Sequence, residues 1–327
     1  MEKNKKLRYN DGNCFEHLGV IGMAIEKVGI IGMGAMGMLL ASQMVGRLQP
    51  EALDVIVDRS RLDAYREATF TVNDTPLSLH FVTEPAEGEK LDLAIFAVKY
   101  RALPKAIEQM KPFIDAHTTV ISILNGIVSE DDLAKAYGDA SVLYCVAQSM
   151  DATRTGHDMH YTRAGQLVFG VRTEGQEDRL QEVADFFRRM EMAIELPEDA
   201  RRQLWNKFMF NVGLNQVVSV YGSGYGVIQK RGEARTQMIQ AMREVLPLAE
   251  AEGVHLTEDD IQNWMAVADG FSPEGKPSLL QDLDAGRPTE MELFSGTVCR
   301  LAEKHKVAVP VNEWLYHILE AKNKELE

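Results

Sequence analysis

Three cysteines in 327 residues are too few and too scattered for a disulfide framework. Cys14, Cys145 and Cys299 form no C-x-x-C pair, so no zinc site is indicated. A chain this poor in cysteine fits a reducing compartment, and a cytoplasmic location is expected. His157 and His160 stand three apart without an H-E-x-x-H frame, and no metal is expected there. Positive charge is also scarce: 35 Lys+Arg against 49 Asp+Glu leave a net charge of -14. A surface that acidic repels phosphate backbones, so nucleic acid is not an expected partner, although a local basic pocket for a small anion remains open. Long apolar runs are missing too. "MEKNKKLR" followed by "LGVIGMAI" imitates a secretory leader, but only eight apolar residues precede Glu26 and Lys27 and no small-residue cleavage site follows. The later apolar run, 28–41, is shorter than the ~18 residues of a membrane span. Residues 1–26 are expected to form a tail outside the fold, with Met23 a second candidate initiator and no membrane partner.

What is present is a soluble composition, 45% hydrophobic and 26% charged, on a chain long enough for two domains. From 27 to 196 short β-branched runs alternate with helical stretches. Strands are expected at 27–32, 53–58, 91–98, 118–125, 141–148 and 166–171, with helices at 35–47, 101–113, 130–137 and 177–190. Continuous apolar strands separated by helices predict a parallel sheet covered on both faces. Residues 69–82 read as a hairpin inserted after the second strand. Beyond Leu196 helical spacing takes over, which predicts an all-α domain at 197–327 and a ligand cleft between the two halves. The fold class expected is α/β: a Rossmann-like dinucleotide-binding domain, then helices.

"VGIIGMGAMGMLL" carries the clearest local motif. Gly32, Gly34 and Gly37 form a G-x-G-x-x-G frame that follows a strand and opens a helix, the context in which this motif binds a pyrophosphate. The first glycine permits the tight turn, the second the approach of the phosphates, and the third close packing of helix on strand. The amides of this turn, including those of Ala35 and Met36, would then face the phosphates. Asp58 follows Gly37 by 21 residues, near the ~20 expected for an acid on the adenine ribose of NAD. Arg59 and Arg61 directly behind it suit the 2′-phosphate of NADP instead, or else a solvated turn. NADPH is favoured, with NAD possible.

In the second half, "LWNKFMFNVGLNQVV" sets Lys207, Asn211 and Asn215 four residues apart, on one stripe of a helix that is otherwise apolar nearly all round. Such a helix should be buried, and three buried polar groups need partners; a ligand in the cleft would supply them. Lys99 and Asn125 each stand at the carboxyl end of an expected strand, the edge where open α/β sheets bind ligands. Ser278 and Glu290 taken singly would be read as helix caps.

Together these pieces resemble the ketopantoate reductase family. The likeness runs from about 27 to 325, through "GMGAMG", "VK" at 98–99, "NG" at 125–126, "WNKFMFNVGLN" at 205–215 and "SLLQDLDAGRPTE" at 278–290. The resemblance implies NADPH-dependent reduction of the 2-keto group of ketopantoate to pantoate, a step toward coenzyme A. It makes Lys207 the catalytic lysine and Glu290 its carboxylate partner. Asn211, Asn215 and Ser278 would hold substrate, while Lys99 and Asn125 would lie near the nicotinamide, Asn125 touching substrate as well. Arg59 falls where the family often places its 2′-phosphate arginine; Asp58 departs from the small or apolar residue usual beside it. A homodimer is possible. Elementary chemistry points the same way, because hydride addition to a keto acid builds charge on the carbonyl oxygen that a nearby cation can meet. Other readings are an NADH-linked 2-hydroxyacid dehydrogenase on the same scaffold and a non-catalytic dinucleotide sensor, the latter disfavoured by Lys207 and Glu290. A 6-phosphogluconate or 3-hydroxyacid dehydrogenase relative would share the two-domain plan but fits the Ser278-to-Glu290 segment poorly.

Overall fold

The structure, a computed structural model, describes residues 24–326. Residues 1–23, Cys14 and Met23 among them, lie outside the described residues. The expected tail to 26 does not hold at its end, since Ile25 is buried in the sheet core and the Glu26 amide donates to Asp92. In chain order the strands are β1 (Val28–Ile31), β2 (Leu53–Ile56), β3 (Phe70–Val72), β4 (Thr75–Leu77), β5 (His80–Val82), β6 (Leu93–Phe96), β7 (Thr119–Ser122), β8 (Tyr144–Gln148), β9 (Thr153–Thr155), β10 (Asp158–His160), β11 (Gln166–Gly170) and β12 (Ile194–Glu195). The helices of the first half are α1 (Ala35–Met44), α2 (Arg59–Glu67), α3 (Leu103–Met110), α4 (Ser129–Tyr137) and α5 (Glu177–Arg189). Those of the second are α6 (Ala200–Tyr221), α7 (Gly226–Gln229), α8 (Glu233–Ala251), α9 (Glu258–Asp269), α10 (Ser278–Asp284), α11 (Ser295–His305) and α12 (Pro310–Lys324).

The main sheet runs β5-β2-β1-β6-β7, parallel throughout. Every residue of β1, β2, β6 and β7 is buried, which is why these strands are mostly apolar with no strict alternation; the polar exceptions are Asp54, Thr119 and Ser122. Strand order reverses at β1, so a crevice opens at the carboxyl ends of β1 and β6, the usual ligand position in such sheets. Three candidate segments leave from this edge: the glycine loop after β1, Lys99 after β6 and Asn125 after β7.

The structure departs from the expected single parallel sheet. β8 and β11 pair antiparallel, with β12 parallel to β11, in a separate three-stranded sheet. That sheet meets the main one through the Val120–Val142 bridge. An apolar run buried on both faces has no alternation to betray its direction, so β8 and β11 look like further parallel strands in sequence. The expected hairpin at 69–82 is shorter, β3 and β4 joined through Asn73 and Asp74, while β5 leaves it to extend the main sheet beside β2. α2 is a further departure, a helix at Arg59–Glu67 where none was expected. Its residues are only partly buried, with Leu62 and Tyr65, three apart, packed on the core; its other signal is Asp58, whose carboxylate caps it by accepting from the Ser60 amide.

The second half is built around α6. Fifteen of its 22 residues are buried, Asn211 and Asn215 among them, and α8, α10 and α12 pack around it. An all-round apolar helix has no solvent face to keep polar, and the fold encloses it accordingly. One side of α6 also lies on β8 and β11, which joins the helical half to the sheet half.

At Gly37 a side chain has no room: a Cβ there would fall on the Gly32 carbonyl oxygen and lie 3.3 Å from the Ala97 Cβ. Gly37→Ala should push α1 off β1 and cost about 1–3 kcal/mol, as overpacking does. A thermal melt should show a clear drop; an unchanged melting temperature would mean the loop has slack that the packing does not suggest.

Candidate active site

The glycine loop is shaped by two different constraints. Gly32 takes φ 106°, and a Cβ there would come within 2.5 Å of the Ala97 carbonyl carbon, so backbone geometry and packing both demand glycine. Gly34 is the opposite case. Its φ of -73° and ψ of -172° suit any residue, and a Cβ would meet nothing within 4 Å. Nothing inside the chain requires glycine at 34, so the open space above it is what a closely approaching dinucleotide would use. Ala35 opens α1, and Met38 is the first residue to bond back, to the Gly34 carbonyl at 3.0 Å. The helix has no side-chain cap and no acid in its first turn, which leaves the amides of Ala35, Met36 and Gly37 for an anion. Arg154, on β9, adds a cation beside the loop by donating to the Met33 carbonyl and, at 2.6 Å, to that of Gly156. Nothing in the linear sequence ties Arg154 to a loop about 120 residues away. These residues fit a nicotinamide dinucleotide.

Just past β2, both carboxylate oxygens of Asp58 are engaged. Oδ1 accepts from the Ser60 amide at 2.9 Å and the Ser60 hydroxyl at 2.6 Å; Oδ2 pairs with Lys105 and accepts from Gln109 at 3.4 Å. Lys105 and Ser60 together hold this carboxyl well below the usual range. Arg59, behind it, is exposed, with Glu84 3.9 Å away. Asp58 is thus the neutralised cap of α2, and its cation comes from α3, a partner no local pattern reveals.

Lys207 projects from α6 to the edge of the sheets. Its ammonium donates to the Asn125 side-chain oxygen at 3.0 Å and to the Ala147 carbonyl of β8 at 2.6 Å. Burial pulls its pKa down to about 8, with Cys145 and Glu130 acting in the opposite direction. Beside Asn125, Gly126 takes φ 91°, and a Cβ there would lie 3.3 Å from Leu293 of the helical half. Asn211 and Asn215 follow Lys207 along the stripe, buried, and neither side-chain amide has a hydrogen-bond partner among the described residues.

The other candidates meet across the two halves without touching Lys207. Lys99 pairs with Asp282 of α10 at 2.6 Å, and Asp282 also takes Arg287 at 2.9 Å. Glu290 accepts from the Tyr100 amide at 3.0 Å; burial raises its pKa, opposed by that bond and by Lys99. The expected Lys207–Glu290 ion pair is not formed: the ammonium rests on Asn125 and Ala147, and the carboxylate on Tyr100. Ser278 opens α10 with an exposed side chain that makes no cap bond, Pro277 being the cap residue. Among the described residues no group of three or more His, Cys, Asp or Glu could hold a metal, and no helix is long and apolar enough to cross a membrane.

The contrast between the glycines gives a test. Gly34→Val should leave the melting temperature unchanged, because its side chain enters open space. Dinucleotide affinity should fall at least tenfold, about 1.4 kcal/mol. Fluorescence titration reads this directly, and undiminished binding would remove the loop from the site.

Comparison with known proteins places this geometry. Residues 28–174 match the family described as ketopantoate reductase PanE/ApbA, and residues 199–323 match its C-terminal counterpart. The 2-dehydropantoate 2-reductase of Lactococcus lactis is 22% identical over 281 residues, covering 85% of this chain and 89% of the relative. A PanE/ApbA family ketopantoate reductase from Ralstonia eutropha superposes with a TM-score of 0.79 at 23% identity, over 92% of this chain and 99% of that one. A D-mandelate dehydrogenase solved with NADH and anilino(oxo)acetate gives 0.82 at 22% identity, over 92% and 99%. A dimeric ketopantoate reductase from Staphylococcus aureus gives 0.73 at 20%, over 92% and 100%. With the two matched segments spanning both halves of the fold, this chain belongs to the ketopantoate reductase family of dinucleotide-binding oxidoreductases.

Proposed function

We propose that this chain reduces the 2-keto group of ketopantoate to give pantoate, a step toward coenzyme A, with NADPH as the preferred cofactor. The observation that carries this reading is Lys207: a desolvated ammonium held only by neutral oxygens, at the sheet edge where the glycine loop also ends. A bound nicotinamide dinucleotide would supply the hydride. The chain's own residues would do the rest. Lys207 faces the keto oxygen, meets the negative charge that develops there and gives it a proton. Asn125 keeps the ammonium aimed, and the free amides of Asn211 and Asn215 bond the hydroxyl and carboxylate of the substrate without adding charge. Ser278 contributes a hydroxyl from α10. Lys99 and Glu290, each bonded to the opposite half of the molecule, shape the cleft around the nicotinamide and the substrate.

Asp58 supports a second reading, an NADH-linked 2-hydroxyacid dehydrogenase on the same scaffold. The engagement of both its oxygens by Ser60, Lys105 and Gln109 weighs against its use as a ribose acceptor and favours Arg59 on a 2′-phosphate. The reading carries a cytoplasmic homodimer with it, supported by the scarcity of cysteine and by the dimeric relative. Steady-state rates with NADPH and NADH against a panel of 2-keto acids test it; ketopantoate turned over no better than branched or aromatic keto acids would overturn it.

Three outcomes are expected. Lys207→Ala should lower kcat by a factor on the order of 10²–10⁴ while cofactor binding survives. Glu290→Ala should cost less, since Glu290 does not touch the ammonium. A melting temperature that drops while the folded variant keeps the wild-type rate would make Lys207 structural. Arg59→Ala should weaken NADPH by about 1.5–3 kcal/mol and leave NADH nearly unchanged; equal loss of both would turn the assignment toward NAD. The reduction rate should also fall as pH rises through about 8, because the donor form of Lys207 exists below its pKa and is lost above it. A kcat flat to pH 9.5 would separate the rate from Lys207.

A further inference from the structure

One buried acid near Lys207 has no part in the reaction just described. Glu130 lies in the first turn of α4 beside Asp131 and Asp132, so a helix-dipole role would be its ordinary explanation. That role needs no burial: Asp131 is exposed, whereas Glu130 is 1% exposed. Its Oε1 is buried without a partner, and burial pushes its pKa up to about 7. A helix cap alone does not account for so costly a placement.

Its other oxygen leads to the candidate active site. The Ser129 hydroxyl donates to Glu130 Oε2 at 3.0 Å, the Ser122 hydroxyl donates to Ser129 at 2.8 Å, and the Leu124 amide donates to Ser122 at 3.2 Å. The next residue is Asn125, whose side chain receives Lys207. A buried hydrogen-bonded chain therefore runs from the acid to the turn that aims the ammonium. Glu130 also acts on Lys207 through space, together with Cys145 of β8. Glu130 in turn faces Arg172, which spans Asp131 and Asp139 and lies over the Tyr144 ring, and Arg201 of α6 also acts on Tyr144. Within this set, Glu130 is the charged group that works in the sense of keeping Lys207 protonated.

We propose that Glu130 is a positioning residue for Lys207: a buried acid that fixes the Asn125 turn through Ser129 and Ser122 and presents negative charge behind the ammonium. The inference rests on the reading of Lys207 as the proton donor. It splits into two separable effects. The charge sets the pH range over which Lys207 keeps its proton, while the hydroxyl chain sets its aim.

The test is the pH profile of kcat for ketopantoate reduction with saturating NADPH. Glu130→Gln keeps the shape and removes the charge; the alkaline limb should move to lower pH by roughly half a unit or more, because the ammonium loses a stabilising neighbour. Glu130→Asp should restore part of the wild-type position. Ser129→Ala leaves the charge and cuts the chain; kcat should fall about tenfold with the limb in place. A folded Glu130→Gln enzyme with an unmoved limb overturns the proposal even where Lys207→Ala is inactive. A Lys207→Ala enzyme with normal kcat instead removes the reading beneath it. Should Glu130→Gln fail to fold, Ser129→Ala decides: the drop in kcat at an unchanged melting temperature supports the inference, and an unchanged kcat overturns it.

Discussion

The contact on which the two halves of this molecule depend is the one between the Lys207 ammonium and the sheet edge. An ammonium taken out of water costs several kcal/mol unless its protons find oxygens. Here the oxygens belong to Asn125 and Ala147, in two different segments of the first half, while the lysine belongs to the central helix of the second. The position of α6 against β8 and β11 follows from apolar packing, and that packing points Lys207 at the two oxygens. The same orientation carries Asn211 and Asn215 round to the same side, since residues four apart share a stripe.

The sheet imposes the complementary constraint. In a parallel sheet all loops that follow strands emerge on one edge, so the glycine loop, the Lys99 turn and the Asn125 turn converge without any of them being near another in sequence. What differs between them is what each needs locally. Gly32 and Gly37 are fixed by contacts within the chain, whereas Gly34 is free of such contacts. A residue that the fold does not need and the expected ligand does is better evidence for a ligand than the whole motif pattern.

Much of this was legible in the sequence, and the misses have a common cause. The glycine loop and the Lys207 stripe were readable because their geometry is local, set by spacings of two to four residues. The direction of β8 and β11 was not, since strands buried on both faces lose the alternation that would mark them. α2 was missed because its apolar stripe, Leu62 and Tyr65, is short and only half-buried. The partners that decide the chemistry are all distant. Lys105 lies 47 residues from Asp58, Asn125 lies 82 from Lys207, and Tyr100 lies 190 from Glu290. Glu130 was hidden differently, since an acid in a first helical turn is ordinary until its burial is known.

Charge explains how so acidic a chain could attract two anions, a dinucleotide and a keto acid. With a net charge of -14 the molecule's overall field repels both, so any attraction must be local and strong. Most cations around the cleft are already matched. Lys99 rests on Asp282, Lys105 on Asp58, and Arg59 stands near Glu84. Lys207 and Arg154 differ from these, because the oxygens they bond are neutral carbonyl and amide groups. A neutral oxygen in direct contact does not neutralise the positive charge as a paired carboxylate does, and at Lys207 burial weakens screening by water. Arg154 stands at the loop that would hold the pyrophosphate, and Lys207 at the end of the sheet where a keto oxygen would gain charge. The paired cations can be lent to a ligand only by breaking a bond to a carboxylate. These two can act without that loss.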